Sequence, residues 1–103
     1  MPLEMKSKSL EFDFSRGEIQ ELTGSVNFSR TIRTANCALR AFDIRYRSSS
    51  EHPLHRMIID IDGPSKSGTQ ANFTVKFGLR DASGTFDDDF GGRVEVLVIA
   101  DTE

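Results

Sequence analysis

Six residues between positions 81 and 93 hold the densest potential chemistry in this chain. Asp81, Ser83, Asp87, Asp88 and Asp89 supply carboxylate and hydroxyl oxygens, and Arg93 supplies a rigid fork of N–H donors. Acceptors and a guanidinium gathered in one loop can meet sugar hydroxyls or a cation, so these six are the expected ligand-binding residues. Calcium takes about six to eight oxygen ligands, and Asp60 and Asp62 are further acids available to a loop cluster. The spacing is not that of an EF-hand, however, and in a hairpin Asp60 and Asp62 fall at the opposite end from Asp81. Solvated turn acids account for them, and neither a metal site nor a cofactor is expected.

Other reactive residue types lack their partners. His52 and His55 are three positions apart, which on a strand turns them to opposite faces, and no third His or second Cys completes a zinc set. Gly63 and Gly68 have the separation of a phosphate-binding loop, but Thr69 and Gln70 stand where a Lys and the start of a helix are required. That segment reads as a hairpin loop. Cys37 is the sole cysteine, so no internal disulfide forms, and it reads as a buried, inert thiol without a base beside it. With no Gly-x-Ser-x-Gly elbow either, an enzyme is not expected.

Charge limits the partners. The net charge is −3, and it is unevenly spread. Arg30, Arg33, Arg40, Arg45, Arg47 and Arg56 face only Asp43 and Glu51 between residues 30 and 56, whereas from residue 81 onward seven acids face Arg93 alone. An acidic chain whose polar strand phases offer few aromatics is a poor nucleic-acid binder. No apolar leader and no run near the ~20 apolar residues of a membrane span is present, so no membrane partner and a cytoplasmic location are the default expectations.

The elements that must position these residues are strands. Phe73-Thr74-Val75-Lys76-Phe77-Gly78-Leu79-Arg80 alternates apolar and polar side chains without a break, the period of a half-buried strand. Six such segments are expected, near 10–14, 24–32, 38–47, 54–62, 71–80 and 93–101, with residues 1–9 as a flexible N-terminal segment. Leu10, Phe12 and Phe14 share the first strand's apolar face, and Val26, Phe28 and Ile32 point inward from the second. In the third, Phe42, Ile44 and Tyr46 keep one phase and Leu39 the opposite one, which implies a bulge near Ala41. One or two helical turns could form over Ser15 to Leu22, where Ser15 and Glu18 resemble a capping box. In the sixth, Val94, Val96, Val98 and Ala100 oppose Leu97 and Ile99, so this strand is central or meets a second surface. Together these features predict a single all-β domain, an antiparallel β-sandwich of about six strands.

With its strand count, Phe42-Asp43-Ile44, Phe77-Gly78-Leu79 and the terminal Val94-Glu95-Val96-Leu97-Val98-Ile99-Ala100, the chain resembles the H-type lectin domain over roughly residues 24–101. The resemblance implies a six-stranded sandwich that assembles into trimers or hexamers and binds sugars at subunit boundaries. The family's aromatic sugar platform, often a Trp, has no Trp counterpart here, and the loop after Gly84 is shorter. The expected function is a non-enzymatic binding or assembly module: a saccharide-binding homo-oligomer, a trimer or its multiple. The alternatives are a structural subunit without a small ligand and a calcium-dependent binding domain.

Overall fold

Alternation extends beyond the six expected segments, and the strands follow it. The computed structural model describes residues 3–15, 19–46, 54–81 and 90–103. It contains β1 (Leu3–Ser15), β2 (Gln20–Asn27), β3 (Ile32–Tyr46), β4 (Leu54–Ser67), β5 (Gln70–Asp81) and β6 (Phe90–Thr102). They form two three-stranded antiparallel sheets, one in the order β1-β6-β3 and the other in the order β2-β5-β4. The fold is all-β. Among the described residues, no helix is long and apolar enough to cross a membrane.

Burial is concentrated on the two central strands, as their composition requires. Val94, Val96, Val98 and Ala100 of β6 and Ala71, Val75 and Phe77 of β5 are fully enclosed and belong to one apolar cluster drawn from both sheets. Phe77 meets the rings of Phe12 and Phe90 edge-on, the latter at 5.5 Å between centroids, the arrangement that aromatic quadrupoles favour. Val26, Phe28 and Ile32 are buried as their phase predicts. The bulge expected near Ala41 is present as a register shift between Leu39 and Ala41.

Three expectations are corrected. Residues 1–9 were expected to be flexible, yet Leu3–Ser9 pair residue for residue with Asp101–Glu95. Pairing at a sheet edge needs free backbone groups rather than apolar side chains, so this Lys- and Ser-rich stretch carried little signal. The end of the segment from 15 to 22 is strand and not a helical turn, because Gln20, Glu21 and Leu22 are already opposite Phe77, Lys76 and Val75; residues 16–18 lie outside the described residues. The long hairpin loop expected over 63–69 contracts to the two-residue turn Gly68-Thr69, closed by Ser67 opposite Gln70. A bulge between Asp62 and Ser65 absorbs the remainder, and Gly63 and Gly68 supply the positive φ values of 113° and 60°.

The molecule is elongated, measuring 50 × 19 × 17 Å, because strands of 13 to 15 residues rise about 3.3 Å per residue. Its two ends therefore differ in chemistry. At one end Glu4 binds the β2–β3 connection: its Oε1 accepts from the Ser29 hydroxyl at 2.9 Å and from the Ser29 N–H at 3.4 Å. The Ser29 hydroxyl, with lesser help from Thr102 and the Arg30 charge, holds the Glu4 carboxyl below the usual range against the opposing effect of desolvation. At the other end lies the site.

Candidate functional site

The site begins with a defect in β1. Phe12 stands opposite Gly92 and Ser15 opposite Phe90, so Asp13 and Phe14 together face Gly91 alone. One extra residue reverses the phase of the strand. Phe14, read from the sequence as a continuation of the Leu10 and Phe12 core face, is instead carried to the outer face of the sheet; this corrects that expectation. There the Arg45 guanidinium of β3 lies 5.3 Å from the Phe14 ring centroid, within cation–π range.

The central strand permits this contact because Gly91 and Gly92 follow directly on its first residue, Phe90. A Cβ on Gly91 would lie 2.8 Å from the Phe12 carbonyl oxygen. One on Gly92, whose φ is 144°, would lie 1.9 Å from the Asp43 carbonyl oxygen. The glycines bring the backbones together, and over Gly91 they leave the space in which the Phe14 ring and the Arg45 guanidinium meet.

Around that space the register sets a row of charges. Glu11 and Asp43 both stand opposite Arg93, one on each side of the central strand. Arg45 Nη1 is 3.4 Å from Asp43 Oδ2, and Arg93 Nη1 is 3.5 Å from Glu95 Oε1. Glu11, Asp43, Arg45 and Arg93 line a depression of about 380 Å³ together with Phe12, Asp13, Phe14 and Gly92. It offers two guanidinium forks, carboxylate acceptors and an aromatic ring. That set can bind vicinal hydroxyls while an apolar patch covers a sugar's C–H face.

Of the six expected site residues, Arg93 lies in this depression. Asp81 ends β5 opposite Leu54, and Ser83, Asp87, Asp88 and Asp89 fall outside the described residues. Asp60 and Asp62 stand opposite Lys76 and Thr74, so these acids are spread along the hairpin away from Asp81. Among the described residues, no group of three His, Cys, Asp or Glu side chains is placed to hold a metal ion. Cys37 is half-buried with Sγ 3.6 Å from the Gly63 carbonyl oxygen, and burial pushes its thiol pKa up, away from a reactive thiolate.

Sequence reasoning missed Glu11, Asp13, Phe14, Asp43 and Arg45. The one available signal was Gly91-Gly92, two residues without side chains near the start of a Val-rich strand. A second depression, of about 330 Å³, lies on the other sheet among Thr23, Asp62, Ser65, Asn72 and Thr74. The Thr23 and Thr74 hydroxyl oxygens are 3.2 Å apart there, and the lining includes no guanidinium. Comparison with protein-family models, curated proteins and solved structures finds no match to this chain.

Proposed function

We propose that this chain is a non-enzymatic binding module of β-sandwich architecture, similar to an H-type lectin domain, whose ligand is a saccharide. The observation that carries the reading is the β1 bulge, which takes an aromatic side chain out of the core and sets it beneath Arg45 in a depression rimmed by Glu11, Asp43 and Arg93. An aromatic ring turned outward costs core burial, and a ligand contact would offset that cost. In this reading Phe14 stands where a lectin's aromatic platform would, Arg45 and Arg93 donate to ring hydroxyls, and Asp43 and Glu11 accept from them.

Self-assembly belongs to the same reading. Leu97 and Ile99 of β6 lie on the outer face of the β1-β6-β3 sheet, opposite Ser7 and Met5 of β1. Leu3 and Met5 beside them are 63% and 60% exposed. This apolar end of the face is the surface we assign to homo-oligomer formation, with a trimer or its multiple as the favoured state, and the charged end is left for ligand. The same patch favours a second reading, a structural subunit without a small ligand.

A glycan array followed by calorimetric titration separates the two. Saccharide binding is expected, weakened at least about tenfold, or ~1.4 kcal/mol, in Phe14→Ala and in Arg45→Ala, with the circular dichroism spectrum retained. An array without signal overturns the saccharide reading and leaves the assembly subunit.

A further inference from the structure

The two sheets have four edge strands, β1, β3, β2 and β4, and three of them are defended against further pairing. On β1, Glu4, Lys6 and Lys8 stand opposite Ala100, Val98 and Val96 on the core-facing phase, and inward-pointing charges stop an apolar layer from continuing. Strand β2 is only 8 residues long. Strand β4 is interrupted between Asp62 and Ser65 by a bulge holding Pro64, which has no N–H to offer.

Strand β3, of 15 residues, has register shifts at Ile32/Thr34 and Leu39/Ala41, but it has no proline and no charged side chain on its core-facing phase. Its core-facing phase runs Ala35, Cys37 and Leu39, then Phe42, Ile44 and Tyr46 beyond the bulge. Leu39 and Phe42 are nevertheless 42% and 47% exposed, and Met57 on the facing edge of β4 is 42% exposed. The core is open along this seam. A free backbone edge beside an open apolar layer fits an extended strand of matching phase.

The strand that matches is β3 itself. Antiparallel pairing about a two-fold axis is isologous, so every contact occurs twice. Because the bulge moves the core phase from odd to even positions, Leu39 can stand opposite Ile44 of the partner subunit with both side chains on the core face. That register also sets Cys37 opposite Tyr46 of the partner subunit and Arg40 opposite Asp43 of the partner subunit. Arg45 then faces Ala38 of the partner subunit, so no two arginines oppose each other. Arg40 lies over the sheet, with Nε 3.2 Å from Glu95 and Nη1 donating to Ser7 Oγ at 2.9 Å; its side chain is 56% exposed, and in the pair it turns from these contacts toward the edge to meet Asp43 of the partner subunit.

We propose that β3 pairs with β3 of a second copy of this chain, joining two three-stranded sheets into one of six strands and closing the seam over Leu39 and Phe42. This contact is separate from the outer face that carries Leu97, and it does not depend on a saccharide.

Light scattering at low micromolar concentration tests it. The wild type is expected to have the mass of an even number of 11.5 kDa chains, halved by Leu39→Lys. Arg40→Asp and Asp43→Arg should each weaken the pairing at least about tenfold through like charges set opposite each other, and the double exchange should restore it. If Leu39→Lys does not fold, the charge exchanges decide alone. A wild-type mass of one or three chains, a folded Leu39→Lys protein of unchanged mass, or a double exchange no better than either single variant overturns the proposal. A monomeric mass would reserve the edge for a strand of another protein.

Discussion

Phe14 and Arg45 belong to the two edge strands of one sheet, and their side chains meet across the central strand because Gly91 lies between them. Neighbouring strands are about 4.8 Å apart, so any larger side chain at position 91 would separate the ring from the guanidinium. The contact therefore depends on three strands at once.

Gly92 is expected to tolerate no side chain. Its φ of 144° and the 1.9 Å approach of a Cβ to the Asp43 carbonyl oxygen mean that Gly92→Ala must move β3 away from β6. A stability loss of at least about 1–3 kcal/mol, the cost of such backbone strain, should appear in urea titration. A variant as stable as the wild type would show that β3 is not held this closely.

Phe77→Ala should cost roughly 3–5 kcal/mol, the usual range for an enclosed aromatic. The ring is fully buried and contacts Phe12 and Phe90, both of the other sheet. A loss under about 1 kcal/mol, the size of an ordinary surface change, would place this ring in solvent.

The Glu4 contact makes stability depend on pH with a definite sign. Its carboxyl is held below the usual range in the folded chain, chiefly by the Ser29 hydroxyl, so the folded state binds this proton less readily than the unfolded state. The stabilisation is complete above the unfolded carboxylate range and disappears as pH falls through the lowered folded value. The wild-type advantage over Glu4→Gln in thermal melts should shrink steadily as pH is lowered from neutrality into the acid range. An advantage independent of pH would assign the contact to hydrogen bonding that does not require the charge.

Leu97→Asp places a charge in the apolar end of the outer face. Sedimentation should show a lower mass than the wild type, falling to that of the β3-joined pair. Added salt should change the wild-type mass little, because exposed ion pairs between subunits contribute only about 0–1 kcal/mol each. A mutant with wild-type mass would mean that this face is not a subunit contact.

What could be read from the sequence is what depends on one strand at a time. The period of two places Phe73, Val75, Phe77 and Leu79 on one buried face, and the phase reversal between Leu39 and Phe42 locates the β3 bulge within a residue or two. Each follows from side chains alternating along a single backbone. By contrast, the β1 bulge leaves the apolar pattern of Leu10, Phe12 and Phe14 intact, because an outward Phe and an inward Phe have the same letter in the sequence. Its presence is decided by the register of β1 against β6, where Gly91 and Gly92 admit an extra residue. Asp43 and Arg45 likewise become neighbours of Arg93 and Phe14 only when β3 pairs on the far side of β6. The composition of each strand was written locally, but the site is a property of three strands in register, and tertiary pairing alone decides which local patterns share a face.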